Sequence, residues 1–182
     1  MTAGAFIKGA TFSDLTMVSF LKNDIVVFVG PNNSGKSAAL AALAHLFASS
    51  DHKAQVITAI SKELIGDKED LLAWLKVTSY VSHPVNSHMQ MFGTYGTLRD
   101  IVSSDTATTY WKMAGQGHGM GPLAGFFCSH LTTLKRLESV NPPKAISLSS
   151  SAPQHPIHYV QRDDSVEKRV SAYFRQAFGT EV

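Results

Sequence analysis

Three observations in the sequence predict an α/β fold. The run Val26-Val27-Phe28-Val29, β-branched and aromatic, reads as a buried strand. It breaks at Gly30-Pro31-Asn32-Asn33, residue types that tolerate turns and positive φ. Regular structure resumes with Ser37-Ala38-Ala39-Leu40-Ala41-Ala42-Leu43-Ala44, an alanine-rich helix former.

The junction between strand and helix carries chemistry. Gly30-Pro31-Asn32-Asn33-Ser34-Gly35-Lys36-Ser37 meets the pattern G-x-x-x-x-G-K-[ST] at every fixed position, in the strand–loop–helix setting the pattern requires. Gly30 turns the chain off the strand, and Gly35 has no side chain to hold a phosphate away from the backbone. The amides between them join the free N–H groups of the helix start in an anion nest. Lys36 adds a point charge for β- and γ-phosphates, and the Ser37 hydroxyl suits the accompanying Mg²⁺. The expected site is therefore Gly30, Pro31, Asn32, Asn33, Ser34, Gly35, Lys36 and Ser37. Its expected ligands are ATP and Mg²⁺, with Ser37 on the metal.

Composition sets the frame. At 182 residues, 44% hydrophobic and 16% charged, the chain can supply a core and reads as a single domain. A net charge of +2 demands neither nucleic acid nor a membrane surface. The densest basic cluster, Lys135-Arg136, is too small for a polyelectrolyte footprint. The one cysteine, Cys128, lies in the apolar run from Gly125 and reads as a buried small hydrophobe. No apolar stretch has transmembrane length, and the N-terminus lacks the plan of a secretion signal. The expected location is the cytoplasm, with no membrane partner.

Ahead of the loop, Ala5–Ala10 and Leu15–Phe20 read as two strands joined by a turn at Thr11–Asp14, and Leu21–Asp24 leads into the strand Ile25–Val29. Two such strands, then G-P-N-N-S-G-K-S and an alanine- and leucine-rich helix, resemble the start of ABC-type ATPase heads. The similarity is greatest to the SMC, RecF and OLD-like group of AAA-family ATP-binding proteins, and it covers about the first 50 residues. It implies a partial ABC-type P-loop NTPase head with an N-terminal antiparallel β element and a central loop strand in a parallel sheet. It also implies homo-oligomers or a partner chain completing the head, and DNA as a partner through family likeness alone.

Beyond the loop, Gly35 to about Ser49 reads as a helix with Leu40, Leu43, Leu46 and Phe47 on its apolar face. Asp51–Ile60 is a second element of undefined type. Asp67-Lys68-Glu69-Asp70 reads as an N-cap with an acid at N3, opening a helix whose apolar face carries Leu71, Trp74, Leu75, Val77 and Val81. The resemblance implies that residues 82–121 are an insertion or arm-like region; its residues read as a hairpin candidate at Met89–Gly96, partial helix over Leu98–Trp111 and a flexible loop at Gly115–Gly121. Leu123–Leu134 is a second apolar run, a strand or a buried helix start. Asn141-Pro142-Pro143 stops it, and Ser147–Pro153 is a loop. Ile157–Val160 reads as a short strand. Asp163-Asp164-Ser165 caps a last helix with apolar positions Val166, Val170, Tyr173, Phe174, Ala177 and Phe178 and Gly179 at C′. His155 and His158, three apart, lack the Cys, Asp or Glu that would complete a metal site.

Hydrolysis needs a carboxylate at the end of an apolar strand and a group that positions water. The family's acidic pair has no counterpart here, because Gln161 and Arg162 interrupt Tyr159-Val160 before Asp163-Asp164. Ser149-Ser150-Ser151 lacks the glycine and acid of the family's signature, and Gln161 is a weak candidate for its glutamine loop. The chain therefore reads as an incomplete, N-terminal portion of an ATP·Mg-binding ABC/SMC/OLD-like ATPase. Such a chain would bind ATP and turn it over poorly until completed. Two alternatives stand beside this reading. One is a small-molecule or nucleotide phosphotransferase using Arg162, Arg169 and Arg175 in a lid; the other is a non-hydrolysing nucleotide-binding switch.

Overall fold

Two antiparallel ladders share β1 (Gly4–Phe12), which pairs on one edge with β2 (Met17–Ser19) and on the other with β3 (Ile57–Ile65). The computed structural model describes residues 3–50, 56–83, 89–94, 100–132, 134, 136–137, 156–161 and 163–179. The turn expected at Thr11–Asp14 closes the β1–β2 hairpin: Phe12 N–H donates to Thr16 O at 2.8 Å, and Thr16 N–H donates to the Asp14 carboxylate at 2.9 Å. That carboxylate is held below its ordinary range by the hydrogen bonds from Thr16. Along β1–β3 the register shifts between Ile7 and Gly9, opposite Lys62 and Ser61, leaving Lys8 as a bulge.

α1 (Lys36–Ala48) lies on this sheet by most of the expected face: Leu46 and Phe47 are buried and Leu43 half-buried. Ala39, Ala42 and Leu46 are buried with Ala10 and Ile57, whereas Leu40 is 47% exposed. Alanine at two successive turns lets the helix axis come close to the strands. Leucine at those positions would hold it off.

α2 (Lys68–Thr78) starts as its sequence dictates. The Asp67 carboxylate accepts from Asp70 N–H at 2.9 Å and Asp70 reaches back to the Asp67 amide, a reciprocal capping box. Leu71 and Leu75 are fully buried and Trp74 half-buried. The expected apolar stripe is narrower than its sequence, since Val77 is 83% exposed and Val81 lies beyond the helix, in β4 (Tyr80–Ser82). After α2 comes a second small sheet in the order β4, β5 (Met91–Gly93), β6 (Ile101–Ser103), followed by α3 (Ser104–Gly115). Within the expected hairpin Met89–Gly96 the described residues hold the single strand β5, which pairs instead with β4 and β6, while α3 covers part of the expected helix Leu98–Trp111; Tyr95 and Gly96 lie outside the described residues.

The glycine-rich segment Gly115–Gly121 is not the flexible loop its composition suggests. Met120 N–H donates to Phe47 O at 2.9 Å, Lys62 Nζ donates to His118 O at 2.6 Å, and Gly119 and Met120 are buried. A Cβ on Gly119 would overlap the Ala48 carbonyl, so glycine is what permits this approach to the end of α1. Burial also lowers the Lys62 pKa. A 3₁₀ turn, Gly121–Leu123, then leads into α4 (Ala124–Phe127), so the second apolar run is a buried helix start. Phe127 stacks on Trp74 with ring centroids 4.5 Å apart and meets Trp111 at 5.5 Å, joining α2, α3 and α4 in the main core.

These elements form one compact unit, the described residues up to His130, and a second unit begins at Leu131. In the second, Ile157–Val160 is not a strand. It lies within a helical turn, α5 (Pro156–Val160), because Pro156 at the first helical position has no N–H to leave unsatisfied. α6 (Asp164–Phe178) follows, capped by Asp163 and ended by Gly179 at φ 74°, as expected. The expected features at Asn141–Pro143 and Ser147–Pro153 lie outside the described residues.

The fold is thus mixed α/β with two small antiparallel sheets. The largest departure from expectation concerns the loop strand. Ile25–Val29 belongs to no ladder, and no parallel pairing occurs among the described residues. The expected central loop strand in a parallel sheet is therefore corrected: the described residues include no strand beside this run to accept its backbone groups.

The α2 geometry makes a graded prediction. Leu75→Ala should cost about 2–5 kcal/mol of unfolding free energy, and Val77→Ala less than about 0.5 kcal/mol. Urea unfolding of the two variants checks the assignment of the buried face. At the second unit, Asp163 is held below its ordinary value of 3.8, first by the Ser165 side chain and then by the Ser165 and Val166 amides. A carboxylate depressed on folding stabilises above its unfolded pKa and loses that contribution as pH falls through the folded value. The helical dichroism of α6 should therefore weaken in acid below 3.8. Asp163→Asn, which can cap without titrating, should weaken less over the same range.

Candidate functional site

The sequence-predicted residues form one continuous structural feature at the start of α1. Gly30 has φ 155°, Asn33 φ 63° and Gly35 φ 82°. A Cβ on Gly30 would stand 2.8 Å from Ser34 Oγ, so the loop's first residue can only be small. Asn33 takes the left-handed conformation that Asn tolerates better than most residues. Between them Ser34 N–H donates to Pro31 O at 3.3 Å, closing a turn.

The curl is fastened by Lys36. Its Nζ donates to Gly30 O at 2.8 Å, to Pro31 O at 2.6 Å and to Ser34 Oγ at 3.3 Å. The side chain is half-buried, while Pro31, Asn32, Asn33, Ser34 and Ser37 are exposed. The ammonium is thereby held at the mouth of the loop, close to the helix start.

That helix start is electrostatically open. Gly35 is the N-cap, no side chain caps the first turn and no acid lies within it. The first backbone bond back is from Ala39 N–H to Gly35 O at 2.8 Å. Within its own first turn no side chain neutralises the positive end of the helix dipole. Ser37 sits in this first turn with its side chain exposed, where a hydroxyl can reach a cation bridged to a bound phosphate. The arrangement brings together an ammonium, an uncapped helix N-terminus, a glycine loop and a hydroxyl, a combination suited to a polyphosphate with its divalent cation.

Other expectations are not gathered here. His155, Arg162 and Ser149–Ser151 lie outside the described residues. Gln161 follows α5, and Arg169 and Arg175 are on α6, all in the second unit. His158 is buried, and Cys128 is half-buried against the main core. Among the described residues no three His, Cys, Asp or Glu side chains group as metal ligands. No described helix is long and apolar enough to cross a membrane. A hollow of about 390 Å³ lined by Lys68, Thr108, Thr109, Trp111 and Lys112 involves none of the loop residues, and the sequence carried no motif for it.

No family model, no curated protein and no solved structure matches this chain.

The loop geometry predicts the cost of a methyl group at its pivot. Gly35→Ala forces a side chain into the left-handed region and should destabilise the first unit by roughly 1–2 kcal/mol. Chemical denaturation of this variant beside Ala38→Gly, on the exposed side of the same turn, separates backbone strain from helix propensity.

Proposed function

We propose that the chain binds ATP·Mg²⁺ through Gly30–Ser37, as part of a P-loop ATPase head of the ABC/SMC/RecF/OLD-like group. The observation that carries this reading is the Lys36 ammonium held in the loop at 2.6–2.8 Å from two carbonyls, beside an uncapped, acid-free helix start. Lys36 would exchange its carbonyl partners for β- and γ-phosphate oxygens, the amides from Asn33 to Ser37 would hold the remaining oxygens, and the Ser37 hydroxyl would ligate Mg²⁺. The β1–β2 hairpin ahead of the loop supports the ABC-type reading over a nucleotide kinase, which usually starts almost directly with the loop strand.

Catalysis is a separate matter from binding. Among the described residues around the loop, the first turn of α1 offers no carboxylate to hold the metal through water. The chain by itself is then a nucleotide binder with slow turnover, and rapid hydrolysis requires groups from a completing partner. Absent transition-state groups of this kind lower phosphoryl-transfer rates by about 10³–10⁵-fold.

Titration calorimetry with Mg·ATP tests the proposal. Wild type should bind and Lys36→Ala should lose most of that affinity, because the lysine is the only full charge in the nest. Equal affinity in the two proteins would overturn the assignment. Turnover well above background that disappears in Lys36→Ala would show that the chain holds its own catalytic acid.

A further inference from the structure

The hollow of about 390 Å³ between the start of α2 and the second half of α3 is lined by none of the nucleotide-loop residues. Its volume falls within the range of about 300–1,000 Å³ that small-molecule sites occupy. Trp111, only 6% exposed, lines it and is fixed by its indole N–H, which donates to Gly66 O at 3.2 Å. Thr108 and Thr109 add methyl groups and hydroxyls. Both hydroxyls donate to Asp105 O, at 3.0 and 2.8 Å, so each presents only lone pairs to anything else. Lys68 from α2 and Lys112 from α3 line the same space, and among the described residues no carboxylate does. Lys112 makes no ion pair or side-chain hydrogen bond with a described residue. Lys68 meets Glu69 at 3.4 Å, but the two side chains are 66% and 67% exposed, and a surface pair of this kind holds a lysine weakly. Like charges around one cavity repel until an anion comes between them.

We propose that this hollow binds a small aromatic acid, a single ring bearing one carboxylate. The lining selects both halves of the ligand. The carboxylate answers two lysines with no acid among them, and ammonium–carboxylate hydrogen bonds are about twice as strong as neutral ones. The ring answers Trp111, the threonine methyls and the lysine stems, which are apolar along most of their length. A bare inorganic anion would meet the lysines but leave most of the 390 Å³ to water. A neutral aromatic would fill the space but leave the two like charges uncompensated. The threonine lone pairs repel further negative charge, which favours one carboxylate over a polyanion. The site draws on side chains of α2 and α3 alone, so it is independent of nucleotide binding at the loop.

Titration of the full chain with sodium benzoate, followed by nuclear magnetic resonance of the indole N–H signals of Trp74 and Trp111, tests this. The Trp111 signal, assigned as the one retained in Trp74→Phe, should shift saturably with a dissociation constant of about 1 mM or tighter. Benzyl alcohol lacks the charge, and acetate and inorganic phosphate lack the ring. Each should bind at least about tenfold more weakly than benzoate. Lys112→Gln should weaken benzoate about threefold, and Lys68→Gln combined with Lys112→Gln at least about tenfold. Both lysines are exposed, so the unfolding midpoint of these variants should match the wild type. Lys36→Ala should bind benzoate as the wild type does, which separates this site from the nucleotide loop. A Trp111 signal that never moves, or phosphate or benzyl alcohol binding as tightly as benzoate, would overturn the proposal. So would full affinity in the double variant, or loss of benzoate binding in Lys36→Ala.

Discussion

The close seating of α1 on the β1–β3 ladder is the contact from which the rest of the first unit takes its positions. Ala39 and Ala42 meet Ala10 and Ile57, with Leu46 closing the lower end. Small side chains on both surfaces let helix and sheet approach, and that approach fixes where each end of the helix lies. At the C-terminal end, Phe47 O receives the Met120 amide and Gly119 fits under Ala48, which ties the glycine-rich segment and α4 to the same helix. At the N-terminal end the chain must enter the helix through Gly30–Gly35 in a tight curl. One packing contact thus positions the loop at one end and the main core at the other.

How much of this the sequence shows depends on how local the physics is. The loop, α1, the capping box at Asp67 and the Asp163 cap are written in residues within four positions of one another, and all are legible. The β1–β2 hairpin is legible for the same reason. β3 is only half legible: it places Ser61, Lys62 and Glu63 in its middle, and Lys62 is accommodated by a carbonyl from His118, far away in sequence. β4, β5 and β6 span three residues each, too short for any period to register. Ile157–Val160 illustrates the ambiguity of short apolar runs, where Pro156 just ahead, rather than the β-branched composition, decides for helix. On α1, Leu43, Leu46 and Phe47 turn inward as their spacing indicates, and Leu40 alone of the expected face stays exposed.

The Ile25–Val29 run is the instructive failure. Its composition satisfies each local criterion for a buried strand, yet Ile25, Val26, Val27 and Val29 are exposed and only Phe28 is half-buried. What local composition cannot encode is whether a neighbouring strand exists to complete the ladder. Strand formation is a property of pairs, and the described residues of this chain place no partner beside this run.

That separation explains why the loop keeps its shape although the strand before it is unpaired. Three residues of the loop hold positive φ, and such conformations persist only where something compensates them. Here the compensation is internal: glycine at the two pivots removes the steric penalty, Asn33 tolerates its own, and Lys36 ties Gly30, Pro31 and Ser34 together from the far side of the curl. Outside support comes from α1, anchored by its alanine face. A loop built this way is held by its own eight residues and by the helix that follows. The shape of the loop is therefore specified by short-range chemistry.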